Sequence, residues 1–391
     1  MDYAELPRSP VALGDEVRRV ERERGIKVIR LDVAEPLFDP PTEAIEGSIE
    51  ALRKGLTRYS PPRGLPELVE AVSRFLKSIR GLDYDPEEIL ITPGAKFAIF
   101  LAMKAILRPG DEVVVISPFW TSFYAIPTML GAKVVEVDMR KPFGLDEEKL
   151  KSVVSRKTRI IVVNNPHNPT GWVFTREELE LVRDLAIDYG IHVISDEVDW
   201  AYTYDAPFES IARLPGMHER AIVIDSFSKV FAMTGWRVGM AAGPKELVEL
   251  MLFIQQHTVS AAPTFAQWGC LKVLHRLLED PSYYIKSVLE VCKWNRDYVT
   301  QKLSEVNGVE CPKPPGAFYV FPSIERLGID SETLARKALE YGVAIAPGTL
   351  FGERYRHFFR LCYAAPKELV VEGVNRLKQC IEDTASSKQR S

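Results

Sequence analysis

The chain has 391 residues and a formal net charge of −4, and 27% of its residues are charged. A single hydrophobic core rarely serves a chain of this length, so the sequence predicts two domains. A charge balance this close to neutral excludes a strongly basic nucleic-acid surface and a polybasic membrane anchor.

The cysteines and the N-terminus indicate the compartment. The five cysteines are Cys270, Cys292, Cys311, Cys362 and Cys380. Their number is odd and no two form a C-x-x-C pair, which favours reduced thiols over a disulfide framework or a zinc site. The opening MDYAELPRSP has no signal-peptide core, and no apolar run is long enough to cross a membrane. We therefore predict a cytoplasmic protein without a metal centre.

Short apolar runs alternate with helical patterns over most of the chain. The runs that predict strands are EEILIT (87–92), DEVVVISP (111–118), AKVVEVD (132–138), RIIVVNNP (159–166), IHVISDE (191–197), AIVIDS (221–226) and WRVGMAAG (236–243). Several are nearly continuous runs of β-branched residues, as is typical of strands covered on both faces. TREELELVRDLAIDYG (175–190) predicts a helix with a threonine N-cap and a closing glycine. The alternation predicts an α/β fold with a mostly parallel sheet.

The pattern changes after Pro281. Residues 282–308 predict one long amphipathic helix. Short strands and two more helices follow it, near 331–341 and from 366, which is an α+β pattern. We predict an N-terminal segment over 1–45 that packs with a small domain, a large domain over 46–285 and the small C-terminal domain over 286–391.

Polar residues follow the predicted strands at their carboxyl ends, where open parallel sheets bind ligands. One rim of the sheet should collect Gly94, Trp120, Asn168, Asp196, Lys229 and Arg237. Each has an ordinary structural explanation: the glycine turn and Asp196 as turn residues, Trp120 as core, Arg237 as surface. Their coincidence on one rim favours a functional site.

The combination suits a phosphorylated aromatic aldehyde. A desolvated lysine can form an imine with the aldehyde, and a carboxylate can keep a ring nitrogen protonated, so that the ring withdraws electrons. Serines, a helix N-terminus and an arginine can hold the phosphate, while a tryptophan stacks on the ring. These residue types predict pyridoxal phosphate as the cofactor.

The sequence resembles the fold-type-I pyridoxal-phosphate aminotransferases of class I/II, the group that includes aspartate aminotransferases. The resemblance covers residues 30–365. Its motifs are VAEPLFDPP (33–41), TRYSPPRG (57–64), TPGAK (92–96), NNPHNPTG (164–171), SDE (195–197), SFSKVFAMTGWRVG (226–239), PPGAFYVFP (314–322) and FRLCYA (359–364). The family implies a mostly parallel sheet of the seven-stranded type between helices, with a smaller α+β domain. It also implies a ping-pong transfer of an amino group between an L-amino acid and a 2-oxo acid.

The resemblance assigns roles around the cofactor ring. Lys229 would be the Schiff-base lysine and the proton shuttle, and Asp196 would pair with the ring nitrogen. Asn168 would hydrogen-bond the ring phenolate oxygen, and Trp120 would stack on the ring.

The resemblance also assigns residues that bind the cofactor phosphate, bind the substrate and act across a dimer interface. The phosphate ligands would be Ser226, Ser228, Arg237 and the amides of Ala95 and Lys96. Tyr59 would reach the phosphate from the partner subunit, which implies a homodimer. Arg360 would clamp the substrate α-carboxylate bidentately.

Three positions depart from the family pattern. Asp199 stands where a tyrosine usually donates to the phenolate oxygen, so it is protonated, or turns away, or gives the imine an unusual pKa. Ala34 replaces a glycine near the substrate carboxylate. Lys96 replaces a small or neutral residue and could meet the distal carboxylate of aspartate or glutamate, or it could be a surface lysine that uses only its amide.

Three other functions remain open at this point. A β-lyase could use the same scaffold to eliminate a substituent from Cβ. Ser226-x-x-Lys229 formally matches the S-x-x-K nucleophile motif, but its companion motifs are absent. A ligand-sensing regulator would need an added DNA-binding domain, for which the residues before the resemblance leave no room.

Overall fold

The computed structural model describes residues 13–389, without the side chains of 388 and 389. Its helices are α1 (Leu13–Arg24), α2 (Thr42–Arg53), α3 (Pro66–Phe75), α4 (Ala95–Ile106), α5 (Ser122–Met129), α6 (Glu147–Val153), α7 (Arg176–Tyr189), α8 (Phe227–Val230), α9 (Lys245–Gln256), α10 (Thr264–Glu279), α11 (Ile285–Ser304), α12 (Ser331–Glu340) and α13 (Lys367–Gln389). Its strands are β1 (Ile29–Arg30), β2 (Ile89–Thr92), β3 (Glu112–Ser117), β4 (Lys133–Asp138), β5 (Thr158–Asn164), β6 (His192–Asp196), β7 (Ala221–Ser226), β8 (Gly239–Ala242), β9 (Tyr319–Val320), β10 (Val343–Ala344), β11 (Ala346–Pro347) and β12 (Phe359–Cys362).

A seven-stranded sheet forms the centre of the molecule, in the order β2-β8-β7-β6-β5-β3-β4. Every strand pair is parallel except the two that β8 makes with β2 and β7. All seven predicted strand segments supply its strands, so the predicted fold class is confirmed. On β3, Val114 and Ile116 join the hydrophobic cluster on one face, whereas Val113 and Val115 join the cluster on the other. Burial of this kind stabilises the sheet by roughly 1.5–3 kcal/mol per large aliphatic side chain.

The helix ends follow the local sequence closely at α7. The Thr175 hydroxyl accepts from the Glu178 amide, and the Glu178 carboxylate accepts from the Thr175 amide. Gly190 closes the helix with a φ of 67°, which glycine adopts without steric cost. The long helix predicted over 282–308 is shorter as α11, because Tyr284 precedes it with a φ of 60° and interrupts the helical backbone.

The C-terminal part forms its own sheet, in the order β11-β12-β9, over a separate hydrophobic cluster that includes α11, α12 and α13. The N-terminal segment contacts this part, since β1 pairs with β10 and Val17 of α1 packs against Leu339 of α12. Residues 1–12 of the predicted segment lie outside the described residues. The predicted boundaries near 45 and 285 stay a prediction.

The sheet brings distant polar residues to one edge. The parallel strands β3, β5, β6 and β7 all end there, and the antiparallel β8 begins there. In the register, Asp196 lies beside Asn164, and Gly239 lies beside both Thr92 and Ser226. Within residues 13–389, none of the helices is both long and apolar enough to cross a membrane.

Candidate active site

A cavity of about 430 Å³ lies at this edge of the sheet. Its lining includes Ala34, Ala95, Lys96, Trp120, Asn168, Asp196, Ser226, Ser228, Lys229, Arg237 and Arg360. Of the predicted residues, Gly94, which directly precedes the lining residue Ala95, and Tyr59 do not line it. Tyr59 lies outside the cavity, in the loop between α2 and α3, and is 90% exposed. Its predicted role in a partner subunit's site stays a prediction.

Lys229 lies in the four-residue helix α8, which directly follows the buried strand β7. Its Nζ donates to the carbonyl oxygen of Ala34, and the Tyr202 hydroxyl fixes its backbone by donating to the Lys229 carbonyl at 2.9 Å. Burial lowers the pKa of the Lys229 amine, which the charge of Asp199 partly offsets. A lowered pKa leaves more of the amine neutral and therefore nucleophilic.

Asp196 ends β6 with its side chain buried. The Asn164 side-chain amide donates to the Asp196 carbonyl at 3.1 Å, and the Val198 amide donates to the carboxylate at 3.3 Å. Burial, and then the charge of Asp199, raise the pKa of Asp196 to about 8. A cationic partner such as a protonated ring nitrogen would compensate this carboxylate.

A buried ion cluster holds the carboxyl ends of β6 and β7 together. Arg80 pairs with Glu197 and, at 2.8 Å, with Asp225, and it lies 4.5 Å from the ring centre of Trp200. Burial raises the pKa of Asp225 to about 7, although Arg80 opposes this. The second Asp225 oxygen accepts from the Ser226 amide at 2.7 Å, which ties the cluster to the cavity wall.

We call the part of the cavity lined by Ala95, Ser226, Ser228 and Arg237, together with the adjacent Gly94, the serine–arginine end. Arg237 has a φ of 57° and donates to the carbonyl oxygen of Thr234 at 2.7 Å. Gly94 precedes α4 with a φ of 85°, and a Cβ there would lie 2.3 Å from an Arg237 nitrogen. The first amides of α4 have no acceptor within the helix. This end can therefore bind an anion through amides, hydroxyls and one guanidinium.

A second part of the cavity, the Arg360 end, is lined by Asn168, Tyr319 and Arg360, and Asp32 and Phe351 contact Arg360 from outside the lining. Arg360 is 1% exposed and donates to the Asn168 side-chain oxygen at 2.9 Å and to the Asp32 carbonyl at 2.6 Å. Its guanidinium lies 5.1 Å from the ring centre of Tyr319 and 4.8 Å from that of Phe351. Among the described residues, its Nε has no hydrogen-bond partner. A carboxylate is the ligand that such a fixed, incompletely paired guanidinium binds best.

Asp199 does not turn away from the site, as one of the sequence-based alternatives allowed. It lines the cavity, and the Tyr319 hydroxyl donates to its Oδ2 at 2.9 Å. Burial raises the pKa of Asp199 to about 6, while Lys229, Tyr319 and Arg360 act in the opposite direction.

Lys96 and Trp120 form one side of the cavity. The Lys96 ammonium lies 5.1 Å from the ring centre of Trp120, and the Trp120 ring meets Phe123 edge-on, with an angle of 89° between planes. Desolvation, followed by the charge of Arg237, lowers the pKa of Lys96. Lys96 is exposed and also lines the cavity, so its side chain lies where the cavity meets solvent.

The sequence reasoning missed three contributors to the cavity: Asn164, Tyr319 and the Thr234–Glu35 pair. The Thr234 hydroxyl donates to the Glu35 carboxylate and so links the N-terminal segment to the loop before Arg237. Tyr319 lay inside a quoted motif, but nothing in the sequence indicated that its hydroxyl meets Asp199. Asn164 lies within the strand predicted over 159–166 and is the last residue of β5 in the structure.

Comparisons with known proteins point to the same class of enzyme as the geometry of the cavity. The family model for aminotransferases of class I and II matches residues 26–377. A probable aspartate/prephenate aminotransferase of Aquifex aeolicus is 38% identical over 373 residues, which cover 93% of each chain.

Two solved structures are similar over nearly the whole fold. An aspartate aminotransferase of Thermus thermophilus with maleate superposes with a TM-score of 0.90, at 34% identity over 96% of this chain and 97% of that one. An aromatic aminotransferase of Pyrococcus horikoshii gives a TM-score of 0.86 at 37% identity, over 93% and 98% of the two chains.

The chain therefore belongs to the class I and II aminotransferases. It is an aminotransferase enzyme, as the resemblance implied. The relatives named above are all aminotransferases, and they give the lyase alternative no support.

Proposed function

We propose that the protein binds pyridoxal phosphate in the cavity and transfers an amino group between an acidic L-amino acid and a 2-oxo acid. The observation that carries this proposal is the buried Arg360, whose Nε has no partner among the described residues, in the same cavity as Lys229. One group can bind a substrate carboxylate and the other can form a covalent link to an aldehyde.

The residues present fit the cofactor. The serine–arginine end offers donors for its phosphate, and Trp120 offers a ring for stacking. Among residues 13–389, the buried Asp196 forms no salt bridge, and a protonated ring nitrogen would give it a cationic partner in addition to the more distant charge of Lys229. When bound, the cofactor withdraws electrons from the substrate α-carbon.

Four residues of the cavity then have separate roles. Lys229 would hold the cofactor covalently, and its amine would carry a proton to and from the substrate α-carbon. Asp196 keeps the proton on the ring nitrogen. Asn168 donates to the ring oxygen, and its own side-chain oxygen is held by Arg360 at 2.9 Å. Arg360 orients the α-carboxylate.

Lys96 supports the assignment of an acidic substrate. Its ammonium lies beside Trp120 and lines the cavity, where it can meet a second carboxylate. The Thermus relative with maleate, a dicarboxylate, is consistent with this class. An aromatic substrate is the second candidate, because the Pyrococcus relative is named an aromatic aminotransferase and the Arg360 end contains the rings of Tyr319 and Phe351.

A single-turnover assay tests both assignments. The holoenzyme is mixed with one amino acid at a time, without an oxo acid, and the cofactor absorbance is followed. We expect the amine form to accumulate fastest with aspartate or glutamate. Release of pyruvate and ammonia without an acceptor would instead show elimination, and a preference for phenylalanine would favour the aromatic class.

We also propose that the protein is a cytoplasmic homodimer. Ile45, Ile49 and Leu52 are exposed at helical spacing on α2, beside the exposed Phe265 of α10. An apolar stripe of this kind is typical of an interface. The exposed Tyr59 lies close to it, because the Thr264 hydroxyl next to Phe265 donates to the backbone carbonyl of Arg58 at 2.7 Å. The five cysteines are free, as is usual for cytoplasmic proteins.

Sedimentation velocity tests the dimer. Ile49→Lys should shift the protein toward monomer and reduce activity, because it places a charge in the interface. Ile187→Lys is the matched control, since both isoleucines are 41% exposed and Ile187 lies on α7. Equal behaviour of the two variants would contradict the proposed interface.

A further inference from the structure

Asp199 has one satisfied and one unsatisfied carboxyl oxygen. It lies in the turn after β6, is 1% exposed and lines the cavity. Tyr319 of β9 donates to its Oδ2 at 2.9 Å. Its Oδ1 is buried and has no hydrogen-bond partner among the described residues. A buried polar atom without a partner is costly, so Oδ1 needs a ligand or a proton that it can share.

Titratable groups on several helices and strands surround Asp199. The groups coupled to it are Asp196 on β6, Lys229 on α8, Tyr202 after β6, Tyr319 on β9, and Arg360 and Cys362 on β12. The charge of Asp199 disfavours ionisation of Asp196, because the two carboxyl groups are buried three residues apart. The ammonium of Lys229 is the largest of the influences that favour ionised Asp199. A covalent link from that amine to the cofactor would reduce this influence whenever the linked nitrogen is unprotonated.

We propose that, in the holoenzyme, Asp199 is a neutral carboxylic acid that donates a hydrogen bond from Oδ1 to the ring oxygen of the cofactor, and that Tyr319 is the positioning residue that holds Oδ2. The inference rests on the proposed function. The Tyr319 hydroxyl occupies Oδ2 as a donor, so the proton of the acid lies on Oδ1. A neutral aspartic acid can donate to an oxyanion in an apolar site. Asp199 thus supplies the donor that a tyrosine supplies in the family pattern.

The proposal predicts a pH dependence with a definite sign. As pH rises, Asp199 ionises, the donor is lost and a negative charge appears beside the Lys229 nitrogen. Arg360 favours ionised Asp199, and a substrate carboxylate bound to Arg360 removes part of that effect. The alkaline limit should therefore lie at higher pH in the kcat profile than in the kcat/KM profile.

The test is an absorbance titration of the holoenzyme against pH with four proteins: wild type, Asp199→Asn, Tyr319→Phe and the double variant. Asparagine keeps a donor but cannot ionise, so the Asp199 step should disappear while the cofactor band remains. Tyr319→Phe removes a donor that favours ionised Asp199, so it should move the step to higher pH. In the Asp199→Asn background, the same change should move nothing.

Two results would overturn the proposal: an Asp199→Asn protein that titrates like wild type, or a Tyr319→Phe shift of equal size in both backgrounds. Tyr341→Phe is the matched control, because Tyr341 donates to Asp383 at 2.8 Å on the surface and should not move the titration. Thermal unfolding of each variant identifies a misfolded protein. If Asp199→Asn fails to fold, the test is whether Tyr319→Phe moves the absorbance step to higher pH. If that shift is absent, the proposal is overturned.

Activity gives a second measurement. Asp199→Asn should keep kcat/KM within about tenfold of wild type, whereas Asp199→Leu, which has no donor, should lose about ten- to a hundredfold more. Equal activity of the two variants would contradict the donor role.

Borohydride reduction followed by peptide mass spectrometry separates this inference from the proposed function. If wild type carries no reduced cofactor on Lys229, the proposed function itself fails. If it carries the cofactor but its titration does not depend on Asp199, only the inference about Asp199 and Tyr319 fails.

Discussion

The two ends of the cavity are built in different ways. The serine–arginine end comes from the segments 92–96 and 226–239, which adjacent strands of one sheet place side by side. The Arg360 end joins segments that are far apart in the chain: Arg360 contacts Asn168 across 192 residues and Asp32 across 328. Both ends therefore join distant segments, but pairing of neighbouring strands within one sheet forms the first end, whereas packing of the C-terminal part on the sheet forms the second. Variants at the two ends should fail in different ways.

The largest effect should come from Lys229, which lines the same cavity. Lys229→Ala should reduce amino-acid turnover by at least about 10⁴-fold, because both the covalent link and the proton carrier are lost. Steady-state turnover measures this, with Lys133→Ala, an exposed lysine on β4, as the control. Near wild-type turnover in Lys229→Ala would refute the proposed function.

A change at the Arg360 end should affect the amino acid and leave the cofactor in place. Arg360→Lys should lower kcat/KM for all L-amino acids by roughly 10²–10³-fold, because lysine cannot make a bidentate contact with the α-carboxylate. Cofactor content is measured in the same preparation. Arg354→Lys, on an exposed side chain, is the control. Loss of cofactor at unchanged amino-acid KM would contradict the comparison.

A change at the serine–arginine end should do the reverse. Arg237→Ala should raise the cofactor Kd by roughly ten- to a hundredfold, because one charge-assisted contact to the phosphate is lost. Fluorescence titration of cofactor-free protein measures this Kd. With saturating cofactor, we expect the amino-acid KM to stay close to wild type. A rise in KM as large as in Arg360→Lys would show that the two ends are not separable.

Lys96 should show whether the cavity reads a second carboxylate. Lys96→Ala should lower kcat/KM for aspartate by roughly tenfold and leave alanine nearly unchanged. The ratio of the two values is the measurement, and alanine serves as the internal control. An equal loss for both amino acids would remove the acidic-substrate assignment from Lys96.

The smallest effect concerns the pH dependence of stability in cofactor-free protein. Folding raises the pKa of Asp196 from 3.8 to about 8, so between these values the folded state holds a proton that the unfolded state releases. The contribution of Asp196 is therefore present at low pH and is lost as pH rises through 8. Asp196→Asn should reduce the fall in Tm between pH 5 and pH 8 by roughly one to a few degrees. A steeper fall in the variant would contradict this sign.

The sequence was sufficient for features that depend on local patterns. The apolar runs located all seven strands of the large sheet, since strands covered on both faces leave a continuous signal. The rule that ligands bind at carboxyl ends of parallel strands then grouped Lys229, Asp196 and Asn168 correctly in one cavity. The start of α11 was misplaced because the positive φ of Tyr284 has no signature in its side chain.

By itself, the sequence determined the fold class, the rim of the sheet and which residues gather there, because strand periodicity and turn chemistry are local properties. Only the tertiary structure decided how those residues are charged and held. The contact of Tyr319 with Asp199 joins residues 120 positions apart, and the contact of Lys229 with the Ala34 carbonyl joins residues 195 apart. Such contacts arise from the packing of one part of the chain on another. Burial in that packing, rather than residue type, sets the pKa values on which the proposed chemistry depends.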